Sequence, residues 1–326
     1  MDERITPENE RNAVYGAADS LQREIGKAIF GKERECSLLV MALIAGGHVL
    51  IEDVPGVGKT TLASALAKAA GLSFRRAQFT PDVMASDITG FNVYNRKTES
   101  FEFRRGLADT NILLADEINR ASPKTQSSLL EAMEESAVTV DGVTYPLPDP
   151  FMVIATQNPL GYVGTYPLPE AQLDRFSLRI GMGYPSEEDE ITMLRKKEKG
   201  NPAEAVTPVA NDRAVRYLRG FAESITVSRE IEKYIVSLVS ATRNRRELAL
   251  GASPRASVAL MKLARAGALL KHRDYVVPED VADIFGEAVA HRLMLTPEAA
   301  ASGITAESVL DGILASVPVP FTVKNR

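Results

Sequence analysis

The stretch Glu52-Asp53-Val54-Pro55-Gly56-Val57-Gly58-Lys59-Thr60 concentrates the chemistry of the chain. A loop that wraps phosphates calls for glycine, four residues, then Gly-Lys-Thr: backbone N–H groups line the anion, the lysine reaches the β and γ oxygens, and the hydroxyl takes Mg²⁺. Asp53 stands where the first glycine belongs, and the rest of the pattern is complete. The phosphate candidates are Pro55, Gly56, Val57, Gly58, Lys59, Thr60 and Thr61, with the Thr60 hydroxyl as a metal ligand. Because those contacts come from the later part of the loop, glycine at position 53 is expected to leave hydrolysis within about tenfold. A second feature agrees. Ile112-Leu113-Leu114-Ala115 is an apolar run ending in Asp116 and Glu117, one carboxylate to hold the metal and a neighbour to polarise an attacking water. Asn158, at the end of the apolar Phe151-Met152-Val153-Ile154-Ala155-Thr156, is placed to orient that water.

These residues need a scaffold that brings strand ends together, and the chain supplies its pattern. His48-Val49-Leu50-Ile51 is a short apolar strand, and the alanine-rich segment from Thr60 to Ala70, stopped by Gly71, is a helix whose N-terminus favours an anion. Strands over Leu72–Phe79, Asn111–Asp116, Phe151–Thr156 and Phe176–Ile180 alternate with helical segments such as Pro123–Glu135. Continuous apolar strands alternating with helices predict an α/β fold with a parallel sheet covered on both faces. Leu21, Ile25 and Ile29 share one helical face, which predicts a first helix ending near Phe30-Gly31. Two hairpins interrupt the alternation, one near 90–106 and one near 137–146, the latter turning at Asp141-Gly142. From Ser186 the pattern is helical, so the reading is an α/β nucleotide-binding core over 1–185 and an all-α domain over 186–326. Ser253-Pro254 and Pro278 mark helix starts, and Val317–Phe321 an irregular tail.

At this level of detail the chain resembles the AAA+ ATPases, and among them the MoxR family. The resemblance rests on the phosphate loop, on Gln78 through Gly90, on Leu114-Ala115-Asp116-Glu117-Ile118-Asn119-Arg120 through Gln126, on Pro167-Leu168-Pro169-Glu170 through Phe176, and on Gly251-Ala252-Ser253-Pro254-Arg255-Ala256. It implies a three-layer P-loop core with hairpin inserts and a helical lid, binding ATP and Mg²⁺. It implies Lys59 on phosphate, Thr60 and Asp116 on the metal, Glu117 as water activator, and Asn158 as γ-phosphate sensor. Arg175, in Leu173-Asp174-Arg175-Phe176, matches an arginine finger offered to the nucleotide of a neighbouring subunit, and Arg255 matches a second sensor from the lid. Phe30 and Gly31 match the segment against the adenine. The hairpin inserts match ones that face a pore or substrate. The resemblance further implies a homo-oligomeric ring, a hexamer by expectation, that remodels or matures a protein client together with a von Willebrand factor A-domain partner. Two alternatives share this core: a nucleic-acid-directed ring motor, and a magnesium-chelatase-like ATPase subunit distinguished by a tetrapyrrole-handling partner.

Composition narrows the field. The 326 residues are 45% hydrophobic and 25% charged, as in a folded protein rather than a disordered or fibrous one. With a net charge of −5 there is no global basic field. Basic clusters such as Arg75-Arg76, Arg104-Arg105, Arg195-Lys196-Lys197 and Arg243-Asn244-Arg245-Arg246 lack interleaved aromatics, so nucleic acid is not the expected partner. The single cysteine, Cys36, lies in an apolar run and is expected in the core. Three scattered histidines give no metal spacing, leaving Mg²⁺ carried by ATP as the implied metal. The acidic start lacks a secretory pattern, and the apolar Cys36–Ile51 is shorter than the roughly 20 residues of a membrane span, so a cytoplasmic location without membrane insertion is expected.

Overall fold

The computed structural model describes residues 7–158, 165–198, 200 and 202–320. Helices α1 (Pro7–Ile25) and α2 (Glu33–Ala45) precede β1 (Val49–Glu52), α3 (Lys59–Ala69), β2 (Phe74–Gln78) and the short α4 (Ala85–Thr89). A hairpin of β3 (Gly90–Asn95) and β4 (Ser100–Arg105) leads to β5 (Ile112–Asp116) and α5 (Pro123–Glu135). A second hairpin, β6 (Ala137–Val140) and β7 (Val143–Pro146), is followed by β8 (Met152–Gln157), α6 (Glu170–Leu173) and β9 (Leu178–Ile180).

The sheet is parallel throughout, in the order β2-β5-β8-β1-β9. Alternate side chains of its inner strands enter two separate apolar cores. Val49, Ile51, Leu114 and Ile154 face the layer of α1, α2 and α3, whereas Leu50, Leu113 and Val153 face α5 with Phe79, Ile88 and Phe176. Coverage on both faces is why these strands read as unbroken apolar runs. Strand order also does the positioning: β8 lies between β1 and β5, so the ends of all three meet at one edge.

Beyond the sheet come α7 (Glu187–Glu198), α8 (Asp212–Ser224), α9 (Arg229–Thr242), β10 (Leu248–Leu250), α10 (Pro254–Leu270), α11 (Pro278–Ala282), α12 (Phe285–Val289), β11 (Met294–Leu295), α13 (Pro297–Ala301) and α14 (Ala306–Ser316). The predicted helix starts hold: Ser186 accepts from the Asp189 amide, and Ser253 caps α10 ahead of Pro254. Ile231, Tyr234, Ile235, Leu238 and Val239 are buried together. Leu218, Ile235, Leu263 and Leu269 join the same core as Leu21 and Leu43, so the helical part packs directly on α1 and α2.

Two expectations need correction. The C-terminal part is not purely helical, since β10 and β11 form a two-stranded ribbon pairing Leu248 with Leu295 and Leu250 with Met294. Strands of two and three residues are too short to show an alternating pattern. The first helix stops at Ile25, where Gly26 follows, rather than near Phe30. Glycine favours the exit, and Ile29 packs from outside the helix, its Cδ1 3.6 Å from where a Cβ on Gly58 would stand.

The hairpins form as expected, and they form one unit. Asp141 and Gly142 both take positive φ, 49° and 80°, as a tight hairpin turn requires. Phe103 of β4 stacks on Tyr145 of β7 with ring centroids 3.8 Å apart, and Asn92 donates to Asp141 at 2.7 Å. Cys36 is buried, and loss of water pushes its thiol up to about 12. Val317 to Pro320 carry no regular structure, and Phe321 lies outside the described residues. No described helix is long and apolar enough to cross a membrane.

Candidate nucleotide site and arginine cluster

The phosphate loop leaves β1 at Glu52 and enters α3 at Lys59. Gly56 and Gly58 hold φ of 89° and 96°, a region side chains resist, so the loop can bring its amides round one point only with glycine at both places. Lys59, Thr60 and Thr61 form the first turn of α3, where amides without helical partners face an anion. The Lys59 ammonium donates to the Asp53 carbonyl at 2.6 Å. Burial lowers its pKa, and the charges of Asp53, Asp116 and Glu117 act against that shift, which places the acidic pair within electrical reach of the loop.

Asp53 has a role that sequence reasoning missed. Its Oδ2 accepts from the backbone amides of Met182 and Gly183 at 2.6 and 2.5 Å, and its Oδ1 from that of Val54 at 2.7 Å. The carboxylate therefore fastens the start of the loop to the segment leaving β9. A glycine there would give the loop its turn and lose the fastening.

Asp116 ends β5, and Glu117 follows with φ of 56°, in the left-handed region. Strain of this kind at a non-glycine residue accompanies functional sites. Thr156 of β8 holds both residues: its hydroxyl donates to Asp116 Oδ1 at 2.6 Å and accepts from the Glu117 amide at 2.9 Å. The other Asp116 oxygen pairs with Arg76 of β2 at 2.7 Å, while Glu117 accepts from Gln78 and Arg120, both at 2.9 Å. Arg76 registered in the sequence only as part of a basic doublet. Parallel pairing of Gln78 with Asp116 places the end of β2 beside the carboxylates, a neighbourhood the linear sequence hides. Asn158 is buried at the end of β8, between the loop and the acidic strand.

The donor set fits a nucleotide with its metal: a two-glycine cradle at a helix N-terminus, a half-buried ammonium, a hydroxyl at Thr60 and a carboxylate at Asp116. Phe30 lines a cavity of about 520 Å³ with Arg23, Lys27 and Lys196, the Lys196 ammonium lying 5.7 Å from its ring centroid. Gly31 holds a φ of 64°, a region side chains resist, and a Cβ there would press on the Asp189 carboxylate.

Arg175 and Arg255 are elsewhere. Val49 pairs with Leu178 and the Ser177 amide donates to the His48 carbonyl at 2.8 Å, so Arg175 lies level with the beginning of β1, whereas the phosphate loop lies at its end. Four residues of strand, about 13 Å at roughly 3.3 Å each, separate the two edges. Arg255, in the first turn of α10, comes to the same edge as Arg175: Ser253 donates to Asp174 at 2.8 Å, and both arginines pair with Glu134 of α5. They line a cavity of about 420 Å³ with Lys262, Arg292, Glu134 and Asp174. The structure thus brings together Lys59, Asp116, Glu117 and Asn158 at one edge and Arg175 with Arg255 at the other. The signal for the second group was the string Ser253-Pro254-Arg255 beside Leu173-Asp174-Arg175; Glu134 gave none.

Comparison with known proteins agrees with this geometry. Residues 48–178 match the model of the ATPase family associated with various cellular activities, and residues 240–313 match the AAA lid domain. YeaC of Bacillus subtilis, an uncharacterized protein, is 52% identical, with 91% of this chain and 92% of that protein covered. Chaperone MoxR1 of Mycobacterium tuberculosis is 41% identical, over 91% of this chain and 81% of its own. The crystal structure of a protein assigned as an ATPase, from Cytophaga hutchinsonii, superimposes with a TM-score of 0.90 at 38% identity, covering 96% of this chain and 98% of that one. The chain belongs to the MoxR-type AAA+ ATPases.

Proposed function

We propose that this ATPase works as a cytoplasmic, chaperone-like motor that couples Mg²⁺-dependent ATP hydrolysis to the remodelling or maturation of a protein client, and that each active site is completed by the adjacent copy in a hexameric ring. The observation that carries this reading is the separation of the two functional edges. A chain whose Lys59, Asp116 and Glu117 stand at one edge and whose Arg175 and Arg255 stand at the other supplies both halves of a site but cannot close it on itself. Head-to-tail repetition closes it, and such contacts generate rings.

Within one site the residues divide the work. The Gly56–Gly58 amides and Lys59 hold the phosphates, with Thr60 and Asp116 placed for the metal, which when bound neutralises charge on the phosphate oxygens. Thr61 extends the first turn of α3, and Phe30 with Gly31 flanks the adenine side. Glu117, steered by its left-handed backbone, takes the proton of the attacking water, and Asn158 orients that water. The arginines arriving from the neighbour stabilise charge on the transferring phosphoryl group. Similarity to chaperone MoxR1 of Mycobacterium tuberculosis supports the chaperone role, and the adaptor we propose, on the family resemblance alone, is a von Willebrand factor A-domain protein. The nucleic-acid alternative is weakened by the internal engagement of Arg75 with the Gly106 carbonyl, Arg76 with Asp116 and Arg105 with Asp109.

The test is subunit mixing. Arg175→Ala and Glu117→Gln should each be nearly inactive, and their mixture should regain ATPase activity, because some interfaces then join an intact Glu117 to an intact Arg175. No recovery in confirmed mixed assemblies would end the inter-subunit reading.

A further inference from the structure

Arg175 and Arg255 are joined by one carboxylate. Glu134, in the last turn of α5, accepts from Arg175 Nη1 at Oε2 and from Arg255 Nη2 at Oε1. Arg175 also donates from Nη1 to the Leu130 carbonyl at 2.8 Å, so α5 fixes it at two points. The cavity around them is cationic. Arg292 is matched by Asp174, Lys262 adds a further positive charge, and Glu134 is the carboxylate that stands between the two arginines.

Nothing local asks for an acid at this position. The last turn of α5 ends at Glu134 and Glu135 and contains no basic residue, the reverse of what the negative end of a helix favours. A residue that works against its own helix is held there by what it does across the fold. Glu134 ties the α/β core, through α5, to the turn that carries Arg175 and to the lid helix that carries Arg255. Without it two guanidinium groups on separate elements would repel each other, and Arg175 would keep only its bond to the Leu130 carbonyl while Arg255 lost its tie to α5.

We infer that Glu134 is a positioning residue for hydrolysis in the adjacent copy, a reading that rests on the inter-subunit site proposed above. A carboxylate presents two oxygens on one atom, as a terminal phosphoryl group does, and arginine pairs with both. Guanidiniums gathered on the two Glu134 oxygens are held as a pair, which is what engaging two oxygens of the phosphoryl group of the neighbour's nucleotide requires. Pre-organisation of this kind raises kcat without strengthening the binding of ATP, whose phosphate loop lies at the far edge of the sheet.

The experiment sorts Glu134→Ala by complementation. Alone, it should lower kcat by about tenfold or more while fluorescent-nucleotide binding to the same protein stays within about twofold. Mixed with Glu117→Gln it should regain activity; mixed with Arg175→Ala it should not, because every interface would then carry a disabled arginine side. Glu134→Gln, which keeps an acceptor for one arginine, should fall between wild type and alanine, and it carries the same mixing test if the alanine variant folds poorly. A wild-type kcat in Glu134→Ala, or recovery with Arg175→Ala, would overturn the assignment. So would failure to recover with Glu117→Gln when Arg175→Ala and Glu117→Gln recover together. If that control pair itself stays inactive, the inter-subunit reading falls and this one with it.

Discussion

Replacing Asp53 by asparagine tests whether the carboxylate that stands in the first glycine position of the phosphate loop fastens that loop in place. The change keeps the size and removes the charge. Two of its three bonds join distant parts of the chain, those from the Met182 and Gly183 amides; the third, from Val54, is local. A hydrogen bond to a charged acceptor contributes about 1.5–3 kcal/mol. Gly183 is exposed and its amide can be rehydrated, whereas Met182 is 2% exposed and its amide cannot. Asparagine can still offer one oxygen, so the net loss is about 2 kcal/mol, a fall of roughly 3 °C in Tm for a chain of this size. Nucleotide affinity should weaken severalfold, since the loop loses its anchor, while kcat at saturating ATP changes less. Differential scanning fluorimetry with a nucleotide titration reads both. A Tm within about 1 °C of wild type, with unchanged affinity, would refute the reasoning. The expectation that glycine is tolerated at position 53 concerned phosphate contacts alone, and it can hold for kcat while stability falls.

Arg76→Ala should release Asp116 from its ion pair and raise Mn²⁺ affinity severalfold in electron paramagnetic resonance titrations with bound nucleotide; unchanged affinity would show that the pair does not compete with the metal. His48 donates from Nε2 to the Met133 carbonyl and accepts the Val153 amide at Nδ1, and burial pushes its pKa down from 6.5 to about 4. Its contribution to stability is therefore complete above about pH 6.5 and fades as pH falls toward 4, and His48→Asn should flatten that part of a Tm–pH profile without abolishing it, because His291 is pushed down to about 3. Glu24, bonded to Lys27 and Thr207, is held down to about 2 from 4.5, so its contribution is present above pH 4.5 and lost through pH 2; Glu24→Gln should remove that acid-side loss. Phe103→Ala should break the stack with Tyr145 and increase proteolytic nicking of both hairpins, and nicking confined to β3–β4 would mean that the hairpins are independent.

What the sequence made legible follows from local physics. The loop glycines, the strand ending at Asp116 and the Asp141-Gly142 turn are set by backbone conformation and burial, which act over a few residues and so leave a local pattern. The partners of the carboxylates are a product of strand order. Arg76, Gln78 and Thr156 meet Asp116 and Glu117 because β2 and β8 flank β5, and Thr156 lies 40 positions from Asp116. Glu134 illustrates the same limit: its helix was legible as the segment Pro123–Glu135, yet its two arginines come from a turn and a lid helix further along the chain. The ribbon of β10 and β11 was invisible for another reason, since three residues and two cannot display a period.

Placing the acids and the arginines at opposite edges has an energetic consequence that can be measured without mutating anything. A dissociated chain retains the loop, Lys59 and the acidic pair, and so retains most of its nucleotide affinity. In the inter-subunit reading proposed above, it lacks the cation that meets charge developing on the transferring phosphoryl group. Arginine supplied from a neighbour accelerates such reactions roughly 10³- to 10⁵-fold, about 4–7 kcal/mol of barrier. Hydrolysis per chain should therefore climb with protein concentration, tracking the assembled fraction measured by light scattering, while nucleotide binding per chain stays nearly flat. Salt should depress activity and assembly together, because the surface around Arg175, Arg255 and Lys262 is cationic. If activity per chain were constant across the range in which the assembly dissociates, the arginines could not be acting across an interface, and their joint position on Glu134 would be a feature of lid attachment alone.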